Sequence, residues 1–272
     1  QQDLWLDVLP AEVNLPRRYC FRYLKVEVKA VSQKFRLRVG QIRLNAVTSA
    51  SETCLPGTAT DPQLQAIDRV SVVTLKNCMQ EVFEDGPRRD RRLWLGDLRL
   101  QALVNDVTFT HHDLVRRCLY LFAGHTREDG MVSANVFVQP DVIADDTFLF
   151  DYSLFFVDVL YGYLQSTGDS ATAQQLWPTA RRQVELALTR CDDAGLVRDS
   201  DDWWVFIDWQ ASLNKQAAAQ GVLIYCLQRA VWLAERFEPG LAASYRQRLQ
   251  QLKAAALDSF WDEQQGFYVS GP

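Results

Sequence analysis

The sequence predicts a mainly α protein, a series of stacked αα-hairpins behind a short antiparallel β segment. Three observations carry this. Helical periodicity recurs over roughly 64–83, 98–107, 113–124, 153–166, 172–190, 214–236 and 241–258. The breaks between these stretches carry turn chemistry, as in "GHTREDGM", "STGDS", "CDDAGLV", "FEPG" and "EQQGF". Residues 20–47 instead alternate with a period of two: Leu24, Val26 and Val28 interleave with Lys25, Glu27 and Lys29, and Phe35, Leu37 and Val39 with Arg36 and Arg38. Those stretches read as half-buried strands with one wet face. Two or three strands do not make a stable sheet alone, so they read as the tail of a β-domain or as an edge sheet resting on the helical region.

Bulk properties exclude several function classes. The chain has 272 residues, 48% of them hydrophobic, and a formal net charge of −5. An acidic surface argues against nucleic-acid binding, which needs phosphate neutralisation. No apolar run approaches the roughly 20 residues needed to span a bilayer, so no membrane partner is expected. The opening "QQDLWLDVLP" has neither a basic start nor an apolar core and does not read as a signal peptide. The six cysteines are scattered without a Cys-x-x-Cys pair, and only three histidines are present, which speaks against a metal site and favours buried thiols.

Between the hairpins lie three long loops, 84–97, 128–152 and 199–213, rich in Asp, Trp and Phe where plain connectors are rich in Ser and Gly. The first, "EDGPRRDRRLWLGD", holds Asp85, Asp90 and Asp97 with Arg88, Arg89, Arg91, Arg92 and Trp94. The second, "PDVIADDTFLFDYS", holds Asp141, Asp145, Asp146 and Asp151. The third, "DSDDWWVFIDWQ", holds Asp199, Asp201, Asp202 and Asp208 among Trp203, Trp204 and Trp209. Carboxylates accept hydrogen bonds from sugar hydroxyls, and indole faces stack on the C–H faces of a sugar ring. Glycosidic cleavage also needs one carboxyl kept protonated and another ionised. Arginine lowers a neighbouring carboxyl's pKa and apolar burial raises it, and the first loop supplies both. Blander roles stand beside each reading. Asp85 can cap the Gly-Pro turn, Asp90 can pair with its arginines in solvent, and the tryptophans can be core. His111, His112 and His125 read as surface or helix-end residues.

The stretch "DGPRRDRRLWLGD" resembles the signature of bacterial α-L-rhamnosidases of glycoside hydrolase family 78, Asp-Cys-Pro-x-Arg-(Asp)-Glu-Arg-Leu-Gly-Trp-x-Gly-Asp. "DYSLFFVDVLYGYLQSTGD" and "WWVFIDW" resemble the next two site loops of that family. The resemblance implies an (α/α)6 toroid over 58–272, here incomplete, behind the last strands of a β-sandwich-type domain over 1–50. It implies inverting hydrolysis of terminal α-L-rhamnose or a related sugar, without a cofactor or metal, and a carbohydrate as the partner. By position, Asp90 falls at the general acid. Asp85 and Asp97 fall at sugar-binding positions, Arg89 orients the cluster, Trp94 stacks on the sugar, and Asp151, Asp208 and Trp209 fall in the substrate pocket.

Two departures bear on that reading. Asp90 stands where the family has glutamate, withdrawing the carboxyl by a methylene, and misplacement by about 1 Å costs about a hundredfold in rate. The Gly-Trp pair reads Leu93-Trp94-Leu95. Length is a third matter: a six-hairpin toroid needs about twelve helices and the sequence predicts seven. The base glutamate has no counterpart after Phe260, Glu263 lying in a turn, so parts of the same polypeptide are expected beyond this chain. The alternative function is a non-catalytic carbohydrate-binding protein on the same scaffold. A polysaccharide lyase using Tyr152 as base is weaker, because such chemistry wants a tyrosine or histidine placed to take a proton.

Overall fold

The computed structural model describes residues 12–15, 17–34, 36–51, 54, 55, 57–198, 200, 203–207, 210 and 212–270. The chain divides into two units, 1–47 and 48–272. In the first unit the alternating stretches carry no strand among the described residues. Leu24, Val26, Val28, Val39, Ile42 and Leu44 are all more than half exposed. The expectation of half-buried strands is therefore not met, and the physical reason is the one that limits any short sheet: an apolar face forms a stable ladder only with something to cover it.

The second unit holds seven helices among the described residues: α1 (Pro62–Cys78), α2 (Leu95–Asp106), α3 (His112–Gly124), α4 (Phe150–Thr167), α5 (Ser170–Leu188), α6 (Gln216–Phe237) and α7 (Pro239–Phe260). Their ends obey local chemistry. Asp61 caps α1, its carboxylate accepting from the amides of Gln63 and Leu64 at 2.8 and 3.0 Å, with Pro62 at the first helical position. Gly168 closes α4 in the left-handed region at φ 69°, and Asp169 at once caps α5 by accepting from the Thr172 amide at 3.1 Å. Pro239 opens α7 directly after α6. α1 stops before the predicted 83. Met79, Val82 and Phe83 continue the apolar run and are fully buried, but they form a bridged turn. An apolar run alone does not distinguish buried helix from buried loop.

α2 and α6 both pack on α4, while α5 pairs with α4 and α7 with α6. Contacts run in step along the row helices α2, α4 and α6: Gly96 against Tyr152, Arg99 against Asp158 and Asp106 against Ser166, then Asp158 against Arg229 and Tyr161 against Trp232. The three therefore point the same way and start at one end. That places the three long loops, each leading into one of these helices, at the same end. α4 sits centrally and is buried along most of its length, including Phe150, Leu154, Phe156 and Leu160. α6 is long and apolar enough to cross a membrane by length and composition, yet half of its apolar window is buried in this packing. A small antiparallel sheet, β1 (Leu93–Trp94), β2 (Asn135–Phe137) and β3 (Ile143–Ala144), joins the first two loops in the order β1-β2-β3, with Leu93 opposite Val136 and Trp94 opposite Asn135. β4 (Trp261–Asp262) and β5 (Phe267–Tyr268) form a terminal hairpin. Leu64, Ile67, Val70 and Val73 leave an apolar stripe of α1 exposed, and Leu100, Leu103 and Val104 do the same on α2.

Candidate active site

The first loop is organised by one carboxylate. The Asp85 amide donates to Arg92 O at 3.0 Å, which closes the loop. The Asp85 carboxyl accepts from the Arg92 amide at 3.2 Å and from the Asp90 amide at 3.4 Å. Arg89 Nε lies 3.7 Å from the same carboxyl, whose side chain is only 4% exposed. Between the two anchored amides Arg91 takes a left-handed conformation, φ 58°, and its Nε donates to Pro87 O at 2.9 Å. A non-glycine residue in that region costs about 1 kcal/mol or more and persists only where its surroundings hold it. The loop thus turns sharply after Asp90 and leaves the Asp90 side chain exposed. Gln101 Nε2 donates to Glu84 O at 2.7 Å, fixing the loop to α2.

Asp97 lies in the first turn of α2, where the helix end favours an anion. Burial nevertheless raises its pKa to about 6, with the negative charges of Asp85 and Asp90 adding to the rise and Arg89 opposing it. Asp85, Arg89 and Asp90 therefore all bear on the Asp97 carboxyl. Gly96 explains how α2 comes so close to α4. A Cβ there would sit 2.4 Å from Tyr152 Cζ and 2.7 Å from its hydroxyl oxygen, so only glycine admits the tyrosine ring. Trp94 meets the Tyr152 ring edge-on at 6.3 Å, and Tyr152 packs on Phe206 at 5.8 Å and Phe155 at 6.0 Å. An aromatic wall thus stands beside Asp97. Burial first, then the charges of Asp97 and Asp151, push the Tyr152 phenol well above its ordinary value. A phenol so held keeps its proton, which removes the support for Tyr152 as a base.

Asp151 lies in the first turn of α4. It is 2% exposed, and its carboxyl accepts from the amides of Phe206 and Ile207 at 3.1 and 3.4 Å. Burial raises its pKa, with both amides opposing the rise. Its carboxyl is committed to shaping the third loop, a task a helix-start carboxylate performs well because two amide dipoles converge on it. Asp85 shapes the first loop in the same way, through its bonds to the Asp90 and Arg92 amides. In the third loop Trp203 is core, 5.2 Å from Phe150, and Trp204 is 39% exposed beneath Lys215 Nζ. Asp199, Asp201, Asp202, Asp208 and Trp209 lie outside the described residues. Among the described residues no three His, Cys, Asp or Glu side chains are placed to hold a metal ion, and no disulfide joins the cysteines.

Two features escaped the sequence. One is Gly96, which the sequence places in the loop 84–97 ahead of the expected helix, where a glycine marks nothing unusual; only the early start of α2 at Leu95 makes it a point of close approach. The other is the Arg92–Asp145 contact. Arg92 stacks on Phe137 at 4.0 Å and reaches Asp145 at 3.8 Å, while Asn135 and Thr147 donate to the same carboxyl at 2.6 and 3.1 Å. Burial pushes Asp145 upward, but these hydrogen bonds outweigh it and hold the carboxyl below its ordinary value. This contact locks the first two loops together across the sheet.

The sequence model for the bacterial alpha-L-rhamnosidase 6 hairpin glycosidase domain matches residues 58–271, and that for the glycosyl hydrolase family 78 alpha-rhamnosidase N-terminal domain matches residues 1–46. Among solved structures, a rhamnosidase from Klebsiella oxytoca with rhamnose bound is 86% identical, with a TM-score of 0.93, over 99% of this chain and 53% of its own. The chain thus spans about half the length of that relative. A GH78 family rhamnosidase of Bacillus sp. GL1 is 24% identical with a TM-score of 0.70, covering 81% of this chain and 23% of its own. A Streptomyces avermitilis alpha-L-rhamnosidase complexed with L-rhamnose is 18% identical with a TM-score of 0.67, covering 82% and 21%. These last two support the fold. A search of curated proteins finds no match.

Proposed function

We propose, for a chain that belongs to the bacterial alpha-L-rhamnosidase 6 hairpin glycosidase family, that the protein of which it forms part hydrolyses terminal α-L-rhamnose, or a closely related sugar, from a glycan with inversion. The observation that carries the reading is the cluster at the start of α2. Asp97 is drawn to a pKa of about 6 beside the charges of Asp85 and Asp90, with Arg89 tempering them and an aromatic wall alongside. Such a cluster can hold a proton near neutral pH, which acid catalysis of glycosidic cleavage requires.

On this reading Asp90 donates the proton to the leaving oxygen, because it stands at the general-acid position of the motif with its side chain exposed. Asp97 accepts from sugar hydroxyls and Trp94 faces the ring. Asp85 and Arg89 hold the turn, and Asp151 holds the third loop, where Asp208 and Trp209 complete the pocket. Inversion needs a second carboxylate about 6.5–9.5 Å from the acid, with a water between them. We assign that base to the half of the polypeptide this chain does not span. Residues 1–50 belong to the β-sandwich-type module ahead of the toroid, and 58–272 to the toroid.

The test is a panel of aryl glycosides given to the full-length protein. Release from the α-L-rhamnoside, well above release from the α-L-fucoside or β-D-glucoside, is the expected result. Silence across the whole panel together with saturable rhamnose binding would replace the enzyme with a carbohydrate-binding protein on the same scaffold.

A further inference from the structure

Inside the bundle, away from the sugar-facing end, an acidic side chain of α4 joins the two neighbouring row helices. Asp158 is 8% exposed. Its Oδ2 accepts from Arg99 Nε of α2 at 2.6 Å, and its Oδ1 accepts from Arg229 Nε of α6 at 3.3 Å. Tyr225 of α6 lies between the two guanidinium groups, 3.8 Å below Arg229 and 5.4 Å from Arg99, and its hydroxyl accepts from Arg99 Nη2 at 3.3 Å. A cavity of about 120 Å3 adjoins the cluster.

The hairpin packing does not require this cluster. Two arginines and a carboxylate in a mostly apolar row lose solvation, and a buried ion pair contributes less to stability than an apolar replacement often does. What such a cluster supplies is a defined register. Arg99 sits two residues beyond Asp97 on α2, and Asp158 sits about two helical turns beyond Asp151 on α4. Arg99 also stacks on Phe155 at 5.1 Å, and Phe155 touches Tyr152, the ring against which Gly96 packs. The cluster is therefore wired by contact to the first turns that carry the candidate site.

We propose that Asp158 is a positioning residue for that site: through Arg99 and Arg229 it fixes α2 and α6 against α4, so that Asp97 stays enclosed between the first loop and the Tyr152 wall. The proposal rests on the reading of Asp97 as a site group. Breaking the tie lets the first turn of α2 move off α4, and water reaches the Asp97 carboxyl.

The experiment tracks the Asp97 carboxyl by carbon-13 NMR titration in the sugar-free, full-length protein. The variants are Asp158→Asn and the milder Arg99→Lys, which keeps the charge but loses the planar fork. Leu160→Ala, a fully buried α4 residue outside the cluster, serves as a control for simple destabilisation. In the tie variants the Asp97 midpoint is expected to fall by about half a pH unit or more toward the ordinary aspartate value, and in Leu160→Ala to stay in place. If Asp158→Asn does not fold, Arg99→Lys decides alone. A midpoint unmoved in the folded tie variants overturns the proposal, as does an equal shift in Leu160→Ala. Because the titration involves no sugar, a wild-type protein silent toward aryl rhamnosides overturns the proposed substrate without altering this result.

Discussion

Replacing Gly96 by alanine tests the packing that encloses Asp97. The added carbon would lie 2.4 Å from Tyr152 Cζ and 2.7 Å from Cε1 and the hydroxyl oxygen. Ordinary carbon contacts lie at about 3.5–4.0 Å, so a gap of more than about 1 Å must open. Tyr152 cannot swing aside cheaply, because Trp94, Phe155 and Phe206 hold its ring and it is only 9% exposed. Overpacking of this kind costs about 1–3 kcal/mol. Alanine returns about 1 kcal/mol through helix propensity, and the clash exceeds that return because a rigid ring in a packed cluster must move. With the clash in the upper part of that range, about 2–3 kcal/mol, the net loss is about 1–2 kcal/mol and corresponds to a melting temperature lower by about 2–8 °C for a domain of this size. Thermal unfolding by circular dichroism and glycoside hydrolysis by the full-length protein read the two consequences, and hydrolysis is expected to fall by at least about tenfold, since the displaced ring borders Asp97. Adding Tyr152→Ala relieves the clash, so the double variant loses less stability than the two single losses combined. A Gly96→Ala protein with unchanged melting and unchanged hydrolysis would refute the reasoning.

The same cluster supports further tests. The folded pKa of Asp97, about 6, lies above its reference value of 3.8, so the stability it contributes is present below about pH 4 and lost as pH rises through 6. Asp97→Asn should accordingly raise the melting temperature relative to wild type more at about pH 7.5 than at about pH 4.5, while hydrolysis falls sharply; an equal effect at both pH values contradicts the raised pKa. Asp151→Ala strands the amides of Phe206 and Ile207, each at a cost of about 1–3 kcal/mol, and should speed hydrogen exchange at those two amides ahead of the rest of the fold. Asp85→Asn should lower both stability and activity because it removes the anchor of the first loop, whereas Asp90→Asn should lower activity with the melting temperature within about 1 °C, as an exposed side chain allows.

The hairpin row was legible because its signals are local. Periodicity, Asp caps, Gly168 and Pro239 act within a few residues, and each of the seven helices stands close to its expected place. The three loops were legible by composition, and parallel row helices gather them at one end. Direction was not legible. Nothing in "DGPRRDRR" distinguishes Asp85, turned inward onto amides, from Asp90, turned outward, because that difference is set by the left-handed residue Arg91 and by contacts with Arg92. The partners of Asp151, two amides more than fifty residues away, leave no mark in sequence either. The strands over 20–47 failed for the opposite reason: the alternation is real, but a period of two forms a ladder only where a partner covers its apolar face.

The central claim is that the exposed carboxyl of Asp90 serves as the acid. It is tested most directly by comparing wild type and Asp90→Asn in the full-length protein on two rhamnosides, one with a dinitrophenyl leaving group and one with an alkyl leaving group. A dinitrophenolate departs without a proton and an alkoxide does not. The expected result is a loss of at least about a hundredfold on the alkyl rhamnoside and a much smaller loss on the dinitrophenyl one, in the range general acid catalysis supplies. Equal losses on both, or no loss on either, would contradict the claim.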